Sequence, residues 1–202
     1  MEKVEINKAA RLSEHFKLGE MCKTSVKTDD GNIPSHVHIE NLKRVCEWLE
    51  ELRRRYNQQY VCENEERSVS PPELGGARGG LNEGTSSASS DHPTHTGTPP
   101  NLGGEIDTEE PIIINSGYRS PELNKKVGGS PTSNHLTGCA VDIRVYGIEQ
   151  AMRYAVILMD YADETKQDYD ELLIERNRSG GYWLHFAVRP KDNRRKTMFL
   201  QK

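Results

Sequence analysis

The sequence predicts a domain that mixes amphipathic helices with short strands, and three observations carry that expectation. Residues 112–114 are three consecutive isoleucines, a run short enough for a buried strand and too β-branched to favour a helix. Residues 140–145 alternate, with Val141, Ile143 and Val145 on one side and Ala140, Asp142 and Arg144 on the other. Two longer stretches, starting near residues 34 and 147, place apolar residues at intervals of three and four, the spacing of a helix with one buried stripe.

Taken in order, residues 12–24 are compatible with a short helix and residues 28–32 with a turn. Pro34 opens the longest helix, in which Leu42, Val45, Cys46, Leu49, Leu52 and Tyr56 form a single stripe, while Glu50, Arg53 and Arg54 lie on a face expected to be only solvated. His36 and His38 stand two apart, diverge on a helix and read as surface residues. Residues 63–110 turn to Ser, Gly, Pro, Thr and acids, a composition that buries too little to offset ordering entropy and reads as a flexible loop or disordered insert. His92 and His95 within it could hold a metal loosely, but the composition favours a solvated segment. Residues 115–117 then stop the isoleucine strand, and Ser120, Pro121 and Glu122 supply a cap hydroxyl, a proline for the first helical position and a carboxylate for the positive end of the helix dipole. Gly128 and Gly129 close that helix. Arg119 falls in the turn before it, and the loop 130–138 delivers His135 ahead of the alternating strand.

Residues 147–162 predict a helix covering the sheet through Ile148, Ala151, Met152, Ala155, Leu158, Met159 and Ala162, the methionines serving as packing. Residues 172–175 and 183–188 read as a hairpin around the turn 177–181, with Leu184, Phe186 and Val188 alternating with Trp183, His185 and Ala187. Met198, Phe199 and Leu200 suggest a last strand.

The chain has 202 residues, 34% of them apolar, so the folded portion is expected to be nearer about 150 residues. Its formal net charge of −4, with basic residues scattered, gives no electrostatic case for nucleic-acid binding. No apolar run is long enough to span a membrane, and the first residues lack the hydrophobic core of a secretory signal, so the chain is expected to be made in the cytoplasm. Four cysteines, Cys22, Cys46, Cys62 and Cys139, show no paired spacing and are expected to be buried or free thiols. Cys139, lying between His135 and Asp142, is the one whose metal role has to be considered.

His135 and Asp142 cannot complete a catalytic zinc site alone, because such sites take three protein ligands and leave a fourth position open. His185, on the polar side of its strand, supplies a third. The block SGYRSPELNKKVGGSPTSNHLTGCAVDI at 116–143, followed by YDELLIE and WLHFAV, resembles the M15 family of zinc D-alanyl-D-alanine carboxypeptidases, in its small single-domain branch of bacteria and phages. The likeness spans residues 111–188, and more weakly Phe16, Lys17, Leu18 and residues 34–47.

The resemblance implies an α+β fold with a small antiparallel sheet and flanking helices, the zinc peptidase fold shared by Hedgehog and DD-peptidases. It implies residues 1–62 as an N-terminal helical part, 63–110 as an insert and 111–202 as the catalytic core of one domain. It implies one zinc ion on His135, Asp142 and His185, with substrate contacts by Arg119 and Ser133. The substrate class would be peptidoglycan stem or cross-link peptides, met at the cell wall by a monomer if exported or released. Several relatives place an acid three positions before the last histidine, where this chain has Tyr182; Glu175 is then the candidate general base. Plainer readings stand beside these: Arg119 bracing the loop against an acid, Ser133 as a cap hydroxyl, Glu175 as a surface strand residue and Trp183 as packing. Two other functions are compatible with the residues, a zinc-stabilised wall-binding module without catalysis and a scaffold built on the insert.

Overall fold

The computed structural model describes residues 7–61 and 109–201. The expected insert therefore falls outside the described residues together with His92 and His95, apart from its last two positions. Those two are anchored: Glu109 pairs with Arg53 at 2.6 Å, and the Glu110 amide donates to Asn57 Oδ1 at 2.6 Å.

The elements are α1 (Leu18–Met21), α2 (His36–Tyr56), β1 (Ile114–Ser116), α3 (Pro121–Lys126), β2 (Ala140–Arg144), α4 (Ile148–Thr165), β3 (Glu171–Arg176), β4 (Tyr182–Ala187) and β5 (Lys196–Gln201). A single π turn, Asn57–Val61, follows α2, and a 3₁₀ turn, Asn134–Thr137, precedes β2. The class is α+β, with five strands in the order β1-β2-β4-β3-β5.

The expected stripe on α2 is buried in full, and Trp48 joins it at 2% exposure. Trp48 meets Phe186 of β4 at 5.4 Å and Tyr161 of α4 edge-on at 4.9 Å between ring centroids. Val141, Ile143, Leu172, Leu184 and Phe186 therefore form the helix-covered face of the sheet, and residues from both sides of the undescribed segment share one core. Ser35 caps α2 reciprocally: its hydroxyl accepts from the His38 amide while its own amide donates to His38 Nδ1. His36 is exposed, as expected, whereas the His38 ring stacks on Tyr118 at 4.8 Å.

Ser120 caps α3 with Pro121 at its start, as read from the sequence. The isoleucine strand lies two residues later than expected, because its pairing with β2 begins at Ile114 and shifts register before Ser116.

Four further expectations are corrected. The sheet is mixed rather than antiparallel, since β5 runs parallel to β3. Residues 188–195 carry the chain past the start of β3, where the fully buried Asp170 accepts charged hydrogen bonds from Arg194 at 2.7 and 2.8 Å and pairs with Arg189 at 2.9 Å. That strap sets β5 down on the far side of β3.

The helix expected over 12–24 is reduced to α1. Glu50 accepts from Ser13 Oγ and from the His15 amide, and pairs with the His15 ring, holding 13–15 in a tight loop that no helix could match. Glu50 and Arg53 are consequently not a merely solvated face of α2. On α4, Ile148 and Met152 are exposed, and the buried arc runs through Ala151, Tyr154, Ala155, Ile157, Leu158 and Ala162. Three alanines there let the helix approach the sheet closely.

Leu49 is fully buried, so Leu49→Ala is expected to cost about 2–5 kcal/mol in urea denaturation. Met152, 51% exposed, should tolerate alanine within about 0.5 kcal/mol in the same assay.

Candidate metal centre

β2 and β4 pair so that Asp142 lies directly opposite His185. Residues opposed in an antiparallel pair share a face, and this one is turned away from the helices. His135 arrives from the 3₁₀ turn just before β2. Ser133 caps that turn by accepting from the His135 amide at 3.3 Å, and Gly138 ends it with φ of 71°. A side chain at Gly138 would place its Cβ 2.6 Å from the His38 carbonyl oxygen, so the reversal that aims His135 at β2 requires glycine. The Arg119 amide donates to the His135 carbonyl at 3.0 Å, joining this turn to the one before α3.

His135, Asp142 and His185 are 2%, 9% and 7% exposed, and one candidate ligand atom from each lies within 4.8 Å of the others. His135 Nδ1 is 2.6 Å from the Gly117 carbonyl oxygen, which can only accept, so the proton sits on Nδ1 and the Nε2 lone pair faces Asp142 Oδ1 at 3.3 Å. His185 Nδ1 lies 2.9 Å from the same oxygen. Its Nε2 is turned toward Glu171 Oε2 at 3.6 Å. Arg119 Nη2 donates to the other oxygen, Asp142 Oδ2, at 2.5 Å, while Arg119 Nε donates to Ser116 Oγ at 2.9 Å.

Burial lowers the His135 pKa and so favours its neutral, ligating form. Burial alone would also lower that of His185, but its hydrogen bond to Asp142 and the nearby Glu171 carboxylate outweigh it and push the imidazole up to about 9. Asp142 is held well below the usual carboxylate range despite its own desolvation, and with His135 presenting a lone pair that hold falls to the His185 imidazole. Two nitrogens and an oxygen thus converge on one point, with the His135 lone pair aimed at a carboxylate oxygen, an arrangement that a cation relieves. Two histidines and a carboxylate form a donor set that suits zinc.

The centre opens into a cleft of about 800 Å³ whose lining includes Arg119, Ser133, Glu175, Trp183 and Lys23. Glu175, paired opposite Trp183 on β3, is 4% exposed and on the same face as His185. Tyr182 faces the other way, its ring 6.4 Å from that of Phe199. Every residue expected at the site from sequence is therefore brought to one cleft. Arg119 also braces Asp142, and Ser133 also acts as a cap. Cys139 is outside the group: it is buried, its sulfur lies 3.9 Å from the Thr137 carbonyl oxygen, and burial raises its pKa.

Glu171, Ser116, Gly117 and Asn134 were not singled out from the sequence. Glu171 is held below the carboxylate range, at about 2, by His185 above all, with Arg194 and Lys196 adding to the effect. Asn134 Nδ2 donates both to it and to Asp170. Alternation along YDELLIE places Glu171 on the face of Glu175 and was the signal available for it.

Residues 103–167 match the family model described as Peptidase M15. The match contains His135 and Asp142, ends before His185 and supports an M15 family peptidase. No curated protein matches the chain.

Metal binding at this centre must displace the His185 proton. Zinc affinity is therefore expected to rise from neutral pH to about pH 9 and then level off, measured by chelator competition. The metal-free protein should show the opposite trend. A histidine whose folded pKa is raised stabilises fully below its unfolded value near 6.5 and loses that contribution as pH rises through about 9, so urea midpoints without metal should fall across that window. A flat zinc-affinity profile would mean that metal binding displaces no proton from His185 in this range.

Proposed function

We propose that the protein is a zinc-dependent peptidase that hydrolyses D-amino-acid-containing peptides of peptidoglycan, as a D-Ala-D-Ala carboxypeptidase or an endolysin-type endopeptidase. The observation that carries the reading is the convergence of His135, Asp142 and His185 beside buried Glu175 in an open cleft. The substrate class rests on the resemblance of residues 111–188 to the carboxypeptidase branch, and the peptidase chemistry also on the family match.

A zinc ion held by the three side chains supplies Lewis acidity for a peptide carbonyl and brings the pKa of water from near 16 to roughly 7. Glu175 accepts the proton of the attacking water and returns it to the leaving amine. The Arg119 guanidinium commits Nε to Ser116 and Nη2 to Asp142 and lines the cleft, so that Nη1 would be its donor to a substrate carbonyl or terminal carboxylate. The Ser133 hydroxyl accepts from the His135 amide and has its own proton to donate to the substrate backbone. Every residue in this scheme comes from one chain, so a monomer suffices.

The reading of the chain as an inactive wall-binding module was motivated by Tyr182 in place of an acid. Tyr182 lies on the opposite face of β4 from His185, whereas Glu175 shares the His185 face, which supports Glu175 as the base.

Mass spectrometry of peptidoglycan fragments incubated with the zinc-loaded protein tests cutting and locates the bond together. Cleavage next to a D-amino acid is expected, abolished by chelation and restored by zinc. Glu175→Gln should retain zinc while turnover drops by about 10²–10⁴-fold. Binding of fragments without cleavage would establish the module instead, and undiminished turnover in Glu175→Gln would move the base elsewhere.

A further inference from the structure

We infer that Arg119 is a positioning residue that restricts Asp142 to one-oxygen ligation and thereby sets the metal preference of the centre. The inference rests on the metal site proposed above and adds a role for Arg119 beyond substrate contact.

The two oxygens of Asp142 have different neighbours. Oδ1 faces both imidazoles, at 2.9 and 3.3 Å, whereas Oδ2 accepts from Arg119 Nη2 at 2.5 Å. The guanidinium is fixed at a second point, since its Nε donates to Ser116 Oγ at 2.9 Å, and Ser116 is the β1 residue paired with Asp142. Arg119 thus reaches back from the turn before α3 to the cross-strand neighbour of the carboxylate it holds. A planar fork bonded at two of its nitrogens cannot rotate away from one without losing the other. Both side chains are largely shielded, at 17% and 12% exposure, where a charged hydrogen bond is stronger than in water.

A carboxylate with one oxygen engaged in this way presents only the other to a cation. Zinc loses little by that, because it is content with four ligands. Larger, harder ions such as manganese or calcium bind best with more oxygens and with carboxylates that chelate through both. Freeing Oδ2 would make a chelating carboxylate available and shift the preference toward those ions. A residue that touched only substrate would change KM or kcat and leave metal preference untouched.

The test compares wild type, Arg119→Ala and Ser116→Ala, each purified metal-free. Zinc and manganese affinities are measured by chelator competition, and the visible spectrum of the cobalt-substituted protein reports the number of ligands. In Arg119→Ala the ratio of zinc to manganese affinity should fall by about 10–100-fold, the usual effect of losing a group that orients a ligand, and cobalt absorption should weaken as coordination expands. Ser116→Ala, which keeps the guanidinium but frees it, should shift the ratio in the same direction by less. It carries the test alone if Arg119→Ala does not fold. Wild-type ratios and spectra in a folded variant that cleaves peptide poorly would overturn the inference and leave Arg119 as a substrate contact. Failure of the wild type itself to bind zinc or cobalt would instead overturn the metal site, and the inference with it.

Discussion

One cross-strand pair, Asp142 opposite His185, is the constraint to which the rest of the centre is fitted. A shift of one residue between β2 and β4 would turn one of the two toward the helices. What prevents that shift lies on the other face. Val141, Ile143, Leu184 and Phe186 are fully buried against α2 and α4, and each contributes about 1.5–3 kcal/mol by staying there. The hydrophobic core thus fixes the position of the two donors without touching either.

The third donor is fixed differently. His135 belongs to no strand, and its direction follows from a capped turn, a glycine and a carbonyl oxygen that holds its Nδ1 proton. Around the three runs a ring of paired charges. Arg119 holds Asp142, Glu171 faces His185, and Arg194, which pairs with Glu171 at 3.0 Å, belongs to the strap that also pins Asp170. The crossing that makes the sheet mixed and the group that faces His185 are therefore parts of one network.

Much of this was legible in the sequence, because strand alternation is local. Residues 140–145 and 183–188 show which side chains share a face, and the composition of the two faces shows which is buried. Partners distant in sequence were not legible. That Arg119 could brace an acid was legible, but not which one, since its grip on Asp142 spans 23 positions. The direction of β5 depends on where residues 188–195 cross, which Asp170 decides from the other end of a hairpin. The loop at 13–15 was read as helix because its propensity allows one, but Glu50, 35 residues away from His15, supplies bonds that no helix could replace. On α4, Ile148 and Met152 were placed inside along with the alanines, but the buried arc is rotated toward Tyr154 and Ile157.

Gly117 links the candidate metal centre to a part of the molecule that contributes no side chain to it. Its carbonyl accepts a hydrogen bond from His135 Nδ1, while a side chain on it would lie 2.3 Å from the Met21 carbonyl oxygen, which in turn accepts from the Tyr118 amide at 2.7 Å. The imidazole is thus aligned by main chain that packs against the end of α1, more than a hundred residues earlier. An excised piece trimmed to residues 103–167 would keep two of the three candidate ligands and the Gly117 carbonyl, and would lose both the strand bearing the third and the α1 main chain against which Gly117 packs. The contacts that hold the three side chains in place therefore reach beyond residues 103–167, to α1 on one side and β4 on the other.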